Sequence, residues 1–346
     1  MIVQVGAFPP PIGGISIFIK RTKDLLDKMD IDNEVWSNLT NEYNINNVKS
    51  VKLKTLPFYY IKNRKKIDVI HINLTGTKEK IFVSYLNFIL KKNCKKLISI
   101  HGNVNDLLKD KKRCKKLIKA LNRFDNIICV KTGDRNILKE MGVYTNIIEM
   151  NAFIKPINYC ELPIEINEFI DKKDLIISSN ASSVNEIYGI KDCVKLILDL
   201  KLKLKNKKIG LVFLIPQVDD YVKLNEIIKY IKINKLEDEI LIYTGTIDFC
   251  SVIVKSNLVV RATKIDGYGV SLAEAISLNI PALASNVCQR PKGTEIYNVN
   301  NYDEFLEKAY DILENNDKYI NYIKNIEIED CFDKLKNLYF TNYKGD

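Results

Sequence analysis

The chain has 346 residues, 46% of them hydrophobic and 28% charged, with only 14 Gly and 9 Pro. That length exceeds the ~250 residues at which one hydrophobic core stops growing, and the composition excludes collagen-like, low-complexity and disordered classes. The net charge of +10 is unevenly divided: residues 1–155 carry 29 Lys and Arg against 14 Asp and Glu, the remainder 24 against 29, so an anionic partner is expected for the first part alone.

In chain order, short aliphatic runs alternate with amphipathic segments, the pattern of parallel sheets covered by helices. Strands are predicted at Ile2–Val5, Ile67–Ile72, Lys96–Ile100, Asn126–Val130 and Asn146–Met150. After a linker over Ile154–Ile170, marked by Pro156 and Pro163, further strands are predicted at Asp174–Ser178, Ile209–Ile215, Ile240–Tyr243, Asn257–Arg261 and Ala282–Ala284. Leu335, Leu338 and Phe340 among Lys and Asp give Ile328–Tyr343 the spacing of a closing amphipathic helix. Three divisions follow: an N-terminal Rossmann-like domain over 1–155, a second over 156–327, and a C-terminal helix over 328–346 expected to pack back on the first. No internal repeat is visible.

The eight cysteines stand singly without a Cys-x-x-Cys pair, and His71 and His101 are the only histidines. Sequence neighbours therefore supply no zinc-type cluster. Isolated thiols such as Cys129 among aliphatic residues suit a reducing compartment. Met1 leads directly into the first strand with no signal-peptide pattern, and Ile81–Leu90, the longest nearly apolar run, falls short of the roughly 20 residues that span a bilayer. A cytoplasmic location is the expectation.

The stretch from Asn257 to Asn286 is the most informative. A strand runs into Asp266-Gly267-Tyr268-Gly269, and a helix is predicted to open near Ser271. Amides at such a helix start form an anion site suited to pyrophosphate, and glycines allow close approach. Asp266 in the loop and Glu274 one turn into the helix can both face one pocket. Glu274 has a structural reading as well, because Ser271-x-x-Glu274 has the spacing of a capping box. Gly13-Gly14, after Pro9-Pro10-Pro11 and before a predicted helix over 16–28, forms a second loop of this kind; a plain tight turn is equally compatible with it. His101 closes the third predicted strand at the sheet edge where open α/β sheets bind ligands, whereas His71 reads as a packing residue.

The block at 266–274 resembles the E-x7-E signature of the retaining GT-B glycosyltransferases of family 4, with Asp266 in place of the first Glu and Glu274 matching the second. Asn279-Ile280-Pro281-Ala282-Leu283-Ala284-Ser285 is similar to that family's continuation, and Pro11-Ile12-Gly13-Gly14 to its first loop. Asn126–Val130 with Lys131-Thr132, and Glu149–Phe153, fit the family order. The resemblance implies a GT-B fold, two Rossmann-like doubly wound parallel-sheet domains facing a cleft. It implies that Glu274 holds the nucleotide ribose and Asp266 the hydroxyls of the transferred sugar. Amides of Gly267, Tyr268, Gly269, Val270 and Ser271 would then contact sugar and diphosphate, Gly13 and Gly14 would close over the diphosphate, and His101 would lie beside the sugar.

One departure stands out. Where the family carries Gly-Arg and Lys-Gly, two cations for the diphosphate, this chain has Ser178-Ser179-Asn180 and Tyr188-Gly189-Ile190. A diphosphate leaving group develops charge that some donor must stabilise. Arg261 and Arg290 are the candidates, and Arg261-Ala262-Thr263 … Asp266-Gly267 resembles an Arg-Pro-Thr … Asp-Gly block of polysaccharide-making relatives.

The expectation is a hexosyl-transferring enzyme that uses a nucleotide sugar, with UDP the expected nucleotide, and that needs no metal or other cofactor. Its acceptor is expected to be a saccharide or lipid-linked intermediate of envelope polysaccharide or glycoconjugate synthesis. Lysine runs at 62–66, 91–96 and 109–116, the second directly after Ile81–Leu90, suit an anionic membrane surface. A solvated basic face is the alternative reading of the same residues. A non-catalytic relative that binds a nucleotide sugar or a partner glycosyltransferase is the competing function. No nucleic-acid module is recognisable, so no nucleic-acid partner is expected.

Overall fold

A computed structural model describes residues 1–102, 104, 111–157 and 159–341. The chain separates into two compact units, one of Met1–Ile157 with Glu329–Asp346, the other of Asn158–Ile328.

The first unit is built on a seven-stranded parallel sheet in the order β3-β2-β1-β4-β5-β6-β7. Its strands are β1 (Ile2–Gly6), β2 (Asn33–Ser37), β3 (Val48–Ser50), β4 (Val69–Asn73), β5 (Lys95–Ile100), β6 (Asn126–Cys129) and β7 (Asn146–Glu149). β1 and β4 are buried along their whole length, as strands covered by helices on both faces must be. The helix Phe332–Phe340 is tied to this sheet from below: the Lys95 ammonium donates to the carbonyl of Leu338 at 2.8 Å, and the Tyr339 hydroxyl meets His71 Nδ1 at 2.7 Å. A lysine on the final carbonyls of a helix also complements its dipole.

The second unit carries a six-stranded parallel sheet in the order β10-β9-β8-β11-β12-β13. Its strands are β8 (Leu175–Asn180), β9 (Ile209–Leu214), β10 (Ile240–Tyr243), β11 (Leu258–Arg261), β12 (Ala282–Ser285) and β13 (Glu295–Tyr297). Leu211, Phe213, Leu258 and Leu283 pack on one face against the helices Ile190–Lys203 and Tyr302–Glu314; Val212, Val259 and Ala284 pack on the other against Phe249–Ile253 and Val270–Ser277.

The strands depart from the sequence expectation in three places. β2, β3 and β13 were not expected; each mixes polar with apolar residues, and β3 and β13 are three-residue strands at the sheet edges. The segment expected as a linker contains a helix, Ile164–Ile170, entered through Pro163 and anchored by the fully buried Ile166. β8 continues past Ser178 to Asn180, because Ser178 and Ser179 are buried partners of β9 rather than loop residues.

Both sheets are doubly wound, so each has one point where successive connections leave in opposite directions. In the first sheet it lies between β1 and β4, in the second between β8 and β11. The crevice outside the carboxyl ends of such a strand pair is where open α/β sheets bind ligands.

Candidate donor site and the edge of the first sheet

At the second switch point β8 ends in Asn180 and β11 ends in Arg261, and the two side chains meet: Arg261 Nη1 donates to Asn180 Oδ1 at 3.3 Å. The same guanidinium reaches Asp266 through Nε and through Nη2, the latter at 3.1 Å to Oδ1, and contacts Ser271 Oγ at 3.4 Å. Asp266 also takes Arg290 Nη1 on Oδ2 and the Gly267 amide on Oδ1 at 2.9 Å. Burial works to raise the Asp266 pKa, but the two guanidiniums hold its carboxyl well below the usual carboxylate range. Asp266 is thus one anion shared by two cations.

The two arginines differ. The Arg290 side chain is 2% exposed and its donors are taken inside the protein, Nε by the Ser285 carbonyl at 2.9 Å, Nη2 by Thr263 Oγ1 at 3.0 Å and Ser285 Oγ at 3.2 Å. Arg261 is 15% exposed, and its contacts to Asn180 and Ser271 are long. Arg290 is a fixed part of the wall; Arg261 is the cation with reach.

The loop is shaped by two glycines. Gly269 has φ +85°, and a Cβ there would stand 2.8 Å from Leu272 Cδ1 and 3.0 Å from Arg290 Nη1. Its left-handed turn makes it the N-cap of the helix Val270–Ser277, whose first bonds run to the Gly269 carbonyl. This corrects the capping-box reading: Ser271 is the second residue inside the helix, and Glu274 lies one turn on, too deep to serve the cap. Val270 and Ser271 therefore present first-turn amides that no carbonyl of the helix can reach. Glu274 is buried on the helix face shared with Val270 and Ser271, four and three residues before it. Gly189, at φ +63°, allows the Tyr188-Gly189 turn to press on Ala262, whose carbonyl oxygen would lie 2.1 Å from a Cβ. That turn is pinned by the Lys264 amide on the Ile187 carbonyl at 2.7 Å.

In the first unit, Gly13 is the N-cap of the helix Gly14–Lys28, with its amide on Ser16 Oγ at 2.9 Å and Gly14 open to solvent. Phe18 on this helix sets its ring 5.2 Å from His101, edge to face. His101 Nε2 bonds Asn73 Oδ1 at 2.9 Å. Burial, and then the nearby Lys80 ammonium, pull the imidazole down to about 3, so it is neutral near pH 7. Gly13, Gly14 and His101 thus share one edge of the first sheet. His71 is fully buried between Ser99 Oγ and Tyr339 OH, both at 2.7 Å, in keeping with its reading as a packing residue.

No family model matches the sequence, and no curated protein matches it. Solved structures match it along nearly its whole length. HepE from Anabaena, in complex with UDP, superposes with a TM-score of 0.67 at 13% identity, covering 98% of this chain and 95% of that one. Sucrose-phosphate synthase from Thermosynechococcus elongatus gives 0.66 at 14% identity, covering 98% and 95%. The UDP-forming α,α-trehalose-phosphate synthase from Burkholderia xenovorans, in complex with glucose-6-phosphate, gives 0.68 at 11% identity, covering 98% and 97%. The chain has the GT-B fold.

Within the second GT-B unit, the structure brings together Asn180, Arg261, Asp266, Gly267, Gly269, Val270, Ser271 and Arg290 around one loop, with Tyr268 on that loop and Glu274 on the helix that follows. Gly13, Gly14 and His101 belong to the other unit. Sequence reasoning missed Thr263 and Ser285, which hold Arg290, and Asn73, which holds His101. Thr263 could have been found from its place in Arg261-Ala262-Thr263; Ser285 and Asn73 carry no local signal. Among the described residues, no helix is long and apolar enough to cross a membrane.

The basic surface is well described for two of its three lysine runs. Residues 109 and 110 of the third lie outside the described residues. The first two runs adjoin, since Lys91 Nζ lies 3.4 Å from the Lys65 carbonyl. Beside them Phe88 is 81% exposed, with Phe58, Ile61, Phe82 and Tyr85 also at the surface.

Proposed function

We propose that this chain is a glycosyltransferase of the retaining family-4 type, which transfers a hexosyl group from a UDP-sugar to a saccharide or lipid-linked acceptor. The observation that carries the reading is the pocket at the β8/β11 switch point, where Arg261 and Arg290 adjoin the first-turn amides of Val270 and Ser271. A diphosphate needs both kinds of donor, most of all as the sugar leaves and its charge grows. Arg261 and Arg290 stand in for the cations missing around residues 180 and 189. UDP is favoured because HepE, of the same fold, has been solved with UDP and with UDP-glucose.

In this reading Glu274 holds the ribose and neutral His101 accepts a hydrogen bond from the transferred sugar. No metal is required, because arginine and amide donors offset the diphosphate charge and the leaving phosphate helps deprotonate the acceptor. Asp266 has a second duty besides any contact with sugar hydroxyls: it orders both arginines. The acceptor is placed in envelope polysaccharide or glycoconjugate synthesis. The adjoining lysine runs with exposed Phe88 support peripheral attachment at the inner, anionic face of the cell membrane. A thermal-shift panel of UDP-, GDP- and ADP-sugars tests the reading. Stabilisation by a UDP-sugar supports it, and a flat response to all three classes rejects it.

A further inference from the structure

Lys80, on the helix Thr77–Leu86 that follows β4, is 3% exposed. Its ammonium donates to the Thr75 carbonyl at 2.6 Å, and among the described residues no carboxylate lies within ion-pair distance. The adjacent Glu79 carboxylate instead accepts from the Gly76 amide at 3.3 Å. Glu79 offsets the ammonium only from beyond ion-pair distance, and a buried ammonium without a direct partner is unfavourable. A second polar group at the same sheet edge is also unmatched. Asn73, the last residue of β4, is 1% exposed; its Oδ1 meets His101 Nε2 at 2.9 Å, but its Nδ2 has no partner. His101 joins the two, being bonded to Asn73 and close enough to Lys80 for the ammonium to bear on its proton.

We infer that Lys80 and Asn73 form a site for an anionic group, a phosphate or a carboxylate, carried by the acceptor and held beside His101. The anion supplies a direct ion-pair partner for Lys80, which has none among the described residues, and an oxygen for Asn73 Nδ2. Lys80 has two further N–H groups beyond the one given to Thr75, enough to bind an anion without losing its anchor. The site lies in the unit whose Lys and Arg outnumber Asp and Glu about two to one, which favours arrival of a negatively charged molecule. Its description as an acceptor site rests on the proposed glycosyltransferase reading, whereas the anion site itself does not.

The test is differential scanning fluorimetry on the full chain with inorganic phosphate, glucose 6-phosphate, glucuronate and, as a neutral control, glucose. The wild type is expected to be stabilised by at least one of the three anions and not by glucose; which one responds distinguishes phosphate from carboxylate. The response is expected to vanish in Lys80→Met and Lys80→Gln and to persist in Lys80→Arg and in Arg261→Gln. Ligand-free Lys80→Met is expected to melt at or above the wild-type temperature, because it removes a buried charge that has no direct ion-pair partner among the described residues. The inference is overturned if no anion shifts the wild type, or if Lys80→Gln keeps the full response. Loss of the response in Arg261→Gln instead would place the anion in the second unit and equally overturn it. Should no nucleotide sugar shift the protein while a Lys80-dependent anion response remains, the site stands and the glycosyltransferase reading falls.

Discussion

Arg261 Nη2 donates to Asp266 Oδ1 at 3.1 Å, while the other carboxylate oxygen of Asp266 is shared by Arg261 and Arg290. One carboxylate therefore orders two guanidiniums five and twenty-four residues away. The arrangement gives a chain that lacks the expected cations around residues 180 and 189 two ordered arginines beside the β8/β11 switch point.

Arg261→Gln is expected to weaken UDP binding by about 10–100-fold, the worth of one charge-assisted hydrogen-bonded pair. Uridine, which has no phosphate, should bind both proteins alike. Isothermal titration with the two ligands separates loss of a phosphate contact from general damage to the pocket.

Asp266→Ala leaves two guanidiniums side by side, one of them 2% exposed. Breaking a buried ion cluster by removing one partner costs on the order of 3–5 kcal/mol, and the urea midpoint should fall accordingly. Asp266→Glu, which keeps the charge, should recover much of that loss. An unchanged midpoint in the alanine variant would show that the carboxylate does not hold the arginines in solution.

Gly269→Ala meets both a left-handed φ of +85° and the Leu272 and Arg290 side chains. It should cost about 1–3 kcal/mol of stability and displace Arg290 as well, so nucleotide affinity should fall with it. Gly267→Ala, at a position with open space around it, should fold normally and serves as the control.

The two histidines set an acid limit. His71 and His101 each titrate near 3 in the folded protein, through burial first, and near 6.5 when unfolded. The unfolded chain therefore binds more protons between those values, and stability falls as pH drops from 6.5 toward 3, by up to about 1.4 kcal/mol per histidine per pH unit. Well above 6.5 both are neutral in either state and contribute no slope. Denaturant midpoints measured from pH 7 to pH 4 should show that decline, and His71→Gln should make it shallower.

Phe88→Ser and Lys92→Glu are expected to reduce co-sedimentation with anionic lipid vesicles, each charge being worth about 1 kcal/mol near such a surface. Binding to neutral vesicles should be weak throughout. Equal binding by wild type and variants would remove the membrane from the account.

The alternation of aliphatic runs with amphipathic segments made the other ten strands legible, because a strand covered on both faces must be apolar along its length. β2, β3 and β13 were not legible: in Asn33-Glu34-Val35-Trp36-Ser37 the polar Asn33 and Ser37 are buried, hydrogen-bonded to the side chains of Asp27 and Tyr43, which local sequence does not announce. Within the site, Asp266, Gly269 and Glu274 could be read from spacing, since the loop and helix start are local in sequence. The contacts of Asp266 with Arg290, and of His101 with Asn73, join different strand ends, and only the folded sheet shows them. Lys80 gave no sign at all, because a lysine at helical spacing reads as a solvated one until its burial is known.

The most direct test of the donor-site account is titration of UDP into the wild type and Arg261→Gln side by side. The account requires saturable binding by the wild type, weakened at least about tenfold in the variant while uridine affinity is unchanged. Equal UDP affinity in the two proteins, or no binding by the wild type, would contradict it.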